Sequence, residues 1–187
     1  NKVLLLGDEK SGKTSLCKAL YKYYYNNSYI PVYINGDRVK TTTITDFIKL
    51  LGKCYKEQYS SDTLEQFNQL ENRRKLLIID DFNKSKLNSK HKSLLLSRLN
   101  EIYPNIIITV NELFPVEEIV CEKSRTDDFK DYQQLEILRF AHSLRYELIN
   151  KWNSLGQEKT IQPSELTHKN DTAKRVVDTI VGTNFVP

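Results

Sequence analysis

Gly7-Asp8-Glu9-Lys10-Ser11-Gly12-Lys13-Thr14 is the stretch on which the reading of this chain turns. It meets the pattern G-x-x-x-x-G-K-[ST] at every fixed position. A short apolar run, Lys2 to Leu6, precedes it, and Lys13 to Tyr25 follows with Leu16, Ala19, Leu20 and Tyr23/Tyr24 at helical spacing. Strand, glycine loop and helix together give the pattern physical content. Gly7 and Gly12 let the backbone turn tightly and aim its N–H groups at a phosphate. The helix that starts near Lys13 adds the partial positive charge of its first turn. Lys13 is placed to reach β- and γ-phosphates, the Thr14 hydroxyl to bind Mg²⁺, and Ser15 to meet the α-phosphate, with Lys10 and Ser11 in the loop itself. The expected ligands are the phosphates of a nucleotide and Mg²⁺.

Working outward, the next informative stretch is Lys75-Leu76-Leu77-Ile78-Ile79-Asp80-Asp81-Phe82. An apolar strand that ends in an acid puts a carboxylate beside the magnesium, and Asp80 has that position. Asp81, one residue on, is the candidate to polarise an attacking water. Another solid apolar run, Ile106 to Val110, leads to Asn111, and Thr109 or Asn111 could sense a γ-phosphate from its tip. The expected catalytic set is Lys13, Asp80 and Asp81, with Thr14 and Asp80 as the metal pair.

The remaining periods fit between these runs. Ile30 to Ile34 reads as a strand closed by the turn signal Asn35-Gly36-Asp37, and Thr45 to Tyr59 as a helix that Thr45 could cap. Leu64, Phe67 and Leu70 keep helical spacing in a polar stretch. Ser89 to Tyr103 is a helix stopped by Pro104, residues 112 to 131 are irregular, and Tyr132 to Phe140 alternates like a less buried strand. Two helices follow, Leu144 to Leu155 with Ser143 as cap and Trp152 in its core face, then Asp171 to Val181. The alternation predicts an α/β fold with a five-stranded, mostly parallel sheet and helices on both faces.

Composition narrows the class. Of 187 residues, 39% are hydrophobic, enough for a core. Lys plus Arg is 28 against 24 for Asp plus Glu, and a net charge of +4 is low for a dedicated nucleic-acid binder. No apolar run is long enough to span a membrane. The three cysteines, Cys17, Cys54 and Cys121, lie far apart, which points to a reducing compartment, the cytoplasm, and to no structural zinc. There is no methionine, even at position 1, so residues 1–187 read as one nucleotide-binding domain of a longer protein whose lid, sensor and effector domains lie elsewhere.

The order GDEKSGKT, LLIIDDF, IIITVNE and LEILRF…SLRYELINKW resembles the STAND NTPases, the signalling branch of AAA-related P-loop ATPases that includes the AP-ATPase and NACHT groups. The resemblance implies the ASCE type of P-loop NTPase, with a strand inserted between the phosphate-loop strand and the acidic strand. It also implies a slow ATPase that switches with nucleotide, forms homo-oligomers on sensing a partner, and serves in bacterial multidomain proteins often linked with antiphage defence. By the same match Pro187 would touch the nucleotide, although the Gly of the family's G-x-P segment and the Arg after its fourth strand are not in place.

Two other classes stay open. A P-loop kinase of small substrates would need a lid with several arginines, and residues 112 to 131 hold only Arg125. A DNA-associated AAA motor would need the basic run from Asn83 to Lys92 to meet a phosphate backbone, but no aromatic is interleaved there as a stacking platform. His91, His142 and His168 lack ligand-like spacing, and Arg125, Arg139 and Arg145 are the candidates for a charge supplied to a γ-phosphate.

Overall fold

The computed structural model describes residues 1–111, 129–138, 141–156 and 160–183, with side chains to Thr179. Nine of its elements form a first compact unit, Asn1–Leu138. They are β1 (Lys2–Leu6), α1 (Lys13–Asn26), β2 (Ile30–Asn35), α2 (Ile44–Gln58), α3 (Leu64–Gln69), β3 (Lys75–Asp80), α4 (Ser89–Ile102), β4 (Ile106–Val110) and β5 (Gln133–Glu136). A second unit, Arg139–Pro187, holds α5 (His142–Ser154) and α6 (Pro163–Thr183).

The strands lie in the order β2-β3-β4-β1-β5, and every pairing is parallel. The expected inserted strand is therefore present, because β4 separates β1 from β3. A parallel strand with neighbours on both edges and helices on both faces has nowhere to expose a polar side chain. All six residues of β3 and all five of β4 are buried accordingly. Successive side chains point to opposite faces. Leu76 and Ile78 join Leu5, Ile107 and Cys17 of α1 on one face. Leu77, Ile79, Ile106 and Ile108 join Phe47, Leu51 and Tyr55 of α2 and Leu95, Leu96 and Leu99 of α4 on the other. Each such aliphatic side chain contributes about 1.5–3 kcal/mol on leaving water. The edge strand β5 pairs only with β1; it is shorter than the expected Tyr132 to Phe140, and all four of its residues are exposed, so the alternation expected there does not mark a buried face.

Several local expectations shift. Thr43, not Thr45, stands at the start of α2, and its hydroxyl donates to Asp46 at 2.7 Å. Ala141 occupies the N-cap position of α5, which leaves Ser143 inside the helix. The last helix begins at Pro163, eight residues before the expected Asp171. Pro suits a first helical turn, and the polar Ser164-Glu165 that follows hid the period. Trp152 is not a core residue; it is 75% exposed. Among the described residues, no helix is long and apolar enough to cross a membrane.

Candidate nucleotide-binding site

The loop after β1 curls through two left-handed residues, Lys10 (φ 63°) and Gly12 (φ 98°), before α1 starts at Lys13. A side chain at Gly12 would be strained in that conformation, and a methyl group at Gly7 would stand 2.6 Å from Ser11 Oγ. Lys13 is buried, and its Nζ donates to the carbonyls of Gly7 (2.8 Å) and Asp8 (2.7 Å), so its ammonium is folded over the loop. Lys10, Gly12, Lys13, Thr14 and Ser15 line a cleft of about 550 Å³ together with Asp81, Asn83, Lys84 and Asn111. The expected loop residues are thus brought together with the ends of β3 and β4.

Asp80, 2% exposed, is the best-connected group in the site. Its Oδ2 accepts from Thr14 Oγ1 at 2.6 Å and from Tyr33 Oη at 2.7 Å, and its Oδ1 accepts from Thr109 Oγ1 at 2.6 Å and Cys17 Sγ at 3.8 Å. Burial pushes this carboxyl up, but the donors from Thr109, Thr14, Tyr33 and Cys17 outweigh it and hold Asp80 below the usual carboxylate range. Burial, reinforced by the Asp80 charge, pushes the Cys17 thiol up, and burial with the bond to Asp80 does the same to the Tyr33 phenol. Both therefore stay protonated as donors.

Asp81 differs in every respect. It sits in the left-handed region at φ 53°, a conformation Asp tolerates. Its N–H donates to Thr109 Oγ1 at 2.7 Å, and its carboxylate pairs with Lys84 at 2.8 Å on the cleft's rim. Thr109 is fully buried between the two acids, so it braces them and does not face the cleft, whereas Asn111 does. Asn111 Oδ1 is buried without a partner, as are Ser11 Oγ in the loop and Asn83 Oδ1 on the rim.

Several residues of the site were not expected from the sequence, among them Cys17, which donates to Asp80, and Lys84, which pairs with Asp81 in the cleft. Asn83 lines the cleft, and Tyr33 reaches Asp80 across 47 positions. Gly36 is required by close approach: a methyl group there would lie 2.1 Å from the Asp81 carbonyl oxygen. Only the turn signal at Asn35-Gly36-Asp37 hinted at the last. Pro187, Arg125 and Arg139 lie outside the described residues. Arg145 belongs to the second unit, where it approaches Asp178. His91, His142 and His168 are exposed, as expected.

The donor set fits a hard cation. A hydroxyl backed by an ionised carboxylate is an oxygen site of the kind Mg²⁺ uses when phosphates and water supply its other ligands. Among the described residues, no cluster of three or more His, Cys, Asp or Glu suited to holding a metal occurs.

The sequence matches no protein-family model, and no curated protein is significantly similar to it. Solved structures are similar in fold. AMPPCP-bound DnaA from Aquifex aeolicus superposes with a TM-score of 0.55 at 15% identity over 95% of this chain and 55% of that one. Replication initiator DnaA bound to AMPPCP and single-stranded DNA gives 0.54 at 16% over 97% and 55%. The likeness is one of fold, the α/β P-loop NTPase architecture with a five-stranded parallel sheet. The chain spans about half the length of the solved chains it matches.

Proposed function

We propose that residues 1–187 form the Mg·ATP-binding domain of a nucleotide-controlled switch of the STAND kind, one that hydrolyses ATP slowly and couples partner sensing to homo-oligomer assembly. The observation that carries the reading is the 2.6 Å bond from Thr14 to Asp80, which joins the phosphate loop to the acidic strand beside buried Lys13. In this reading Lys13 exchanges its two carbonyl partners for β- and γ-phosphate oxygens, while the amides of Gly7 to Thr14, with Ser15, hold the rest of the phosphate chain. Thr14 and Asp80 hold Mg²⁺, which supplies charge neutralisation when bound. Asp81 accepts the proton of the attacking water, and Asn111, which lines the cleft beyond β4, turns its side-chain N–H to the γ-phosphate. The resemblance that suggests the switch also suggests its setting, a cytoplasmic protein of antiphage defence.

A second reading, a DNA-associated ATPase, draws on the likeness in fold to an initiator that binds single-stranded DNA. Sedimentation of the full-length protein with ATP or ADP, with and without a single-stranded oligonucleotide, separates the two. A switch is expected to assemble on ATP and not ADP without DNA. Assembly that requires the oligonucleotide favours the second reading, and no response to any nucleotide overturns both.

A further inference from the structure

The carboxylate that ends β3 takes a hydrogen bond from the edge of the sheet, from the Tyr33 hydroxyl. We infer that Tyr33 is a positioning residue for the magnesium site: its hydroxyl fixes the plane of the Asp80 carboxylate so that Oδ2 stays turned toward Thr14 and the cation. The inference rests on the Mg·ATP reading above.

The four donors to Asp80 divide by origin. Thr14 and Cys17 belong to α1 and travel with the phosphate loop, whereas Tyr33 and Thr109 come from β2 and β4 of the sheet. Each carboxylate oxygen therefore has one donor from the helix and one from the sheet: Thr14 and Tyr33 on Oδ2, Cys17 and Thr109 on Oδ1. When the Thr14 oxygen turns a lone pair to a cation, Tyr33 is the donor that still ties Oδ2 to the sheet. Without it the carboxylate can rotate about its last bond, because Thr109 alone holds the other oxygen from the sheet side.

The backbone that carries the phenol is itself held on both sides. β2 is an edge strand, and one side of Tyr33 pairs in register with Ile78 of β3. Its free edge is closed by a side chain: Gln58 Oε1 accepts from the Tyr33 N–H at 2.9 Å, and Gln58 Nε2 donates to the Tyr33 carbonyl at 2.7 Å. Gln58 Nε2 also donates to Cys54 O at 2.9 Å, which ties this clamp to α2. A tyrosine that served only packing would need neither the clamp nor a 2.7 Å bond to a buried carboxylate. Groups that orient a metal's ligands from one bond away affect metal affinity by about 10–100-fold when removed.

Tyr33→Phe keeps the ring and removes only the hydroxyl. Nucleotide binding by the intact protein is titrated with Mg²⁺ at fixed ATP, then repeated in excess chelator, with Tyr59→Phe as control. Tyr59 also donates a phenol to β2, but to the Pro31 carbonyl. The expected result for Tyr33→Phe is a Mg²⁺ requirement raised about tenfold, with unchanged chelator-insensitive ATP affinity and a cooperative unfolding transition retained. Tyr59→Phe should match the wild type. An unaltered or lowered Mg²⁺ requirement in Tyr33→Phe, or an equal rise in Tyr59→Phe, would overturn the inference. Wild-type nucleotide binding that ignores Mg²⁺ would instead remove the reading on which it rests.

Discussion

The central strands and the helix α5 both offer large apolar residues in the sequence, as solid runs in β3 and β4 and at helical spacing among polar residues in α5, and they differ in the folded chain. Every residue of β3 and β4 is buried, whereas α5 has no buried residue, with Leu144, Leu148 and Trp152 at 49%, 52% and 75% exposure. A parallel strand is satisfied only between two neighbours and under two layers, so its solid apolar run reports burial directly. Apolar residues at helical spacing report only that one face of a helix could be covered. The difference carries over to chemistry. The ends of β3 and β4 hold a carboxylate saturated by four donors, while the polar contacts of α5 are surface pairs such as His142 with Asp178.

The comparison can be broken most directly at its buried end. Ile79→Ala removes a side chain with no exposed surface. It should cost about 2–5 kcal/mol in denaturant unfolding, and a loss under about 1 kcal/mol, the level of a well-tolerated core swap, would show that the sheet is not sealed. Within the site the two adjacent acids should separate. Asp81→Asn keeps the shape but loses the proton acceptor, so kcat should fall about 10²-fold or more with ATP affinity within a few fold. Asp80→Asn should weaken Mg²⁺-dependent binding and hydrolysis together, because its carboxylate backs the metal ligand in both states. Equal hydrolysis by wild type and Asp81→Asn would reduce Asp81 to a turn residue. The smallest effect belongs to α5, where Trp152→Ala should change stability by less than about 0.5 kcal/mol, the usual range for a surface position. A larger loss would mean that its exposed face is covered.

Much of this was legible in the sequence, for reasons that differ by region. β1, β3 and β4 appear as unbroken apolar runs because both their faces are buried, and β3 and β4 begin and end where the runs do. The phosphate loop is legible because its geometry admits few residue types: Gly12 at φ 98°, Gly7 against Ser11, a lysine and a hydroxyl at fixed offsets. What escaped was tertiary. Tyr33 meets Asp80 across 47 residues and Gly36 meets the Asp81 backbone across 45, and neither contact leaves a local period. Thr109 carried the right chemistry with the wrong aim, since a β-strand residue one position before the tip faces the neighbouring strand's acid and not the cleft. Trp152 followed the opposite course: its spacing was helical, but spacing cannot say whether anything packs on the helix.

The site proposed for Mg·ATP is the loop between β1 and α1. Calorimetric titration of ATP with Mg²⁺ into wild type and Lys13→Ala tests it most directly. Lys13 is the cation held over the loop by the Gly7 and Asp8 carbonyls. Its removal is expected to weaken ATP at least tenfold, about 1.4 kcal/mol or more, with the fold intact by circular dichroism. Equal ATP affinity in the two proteins would contradict the assignment of the site.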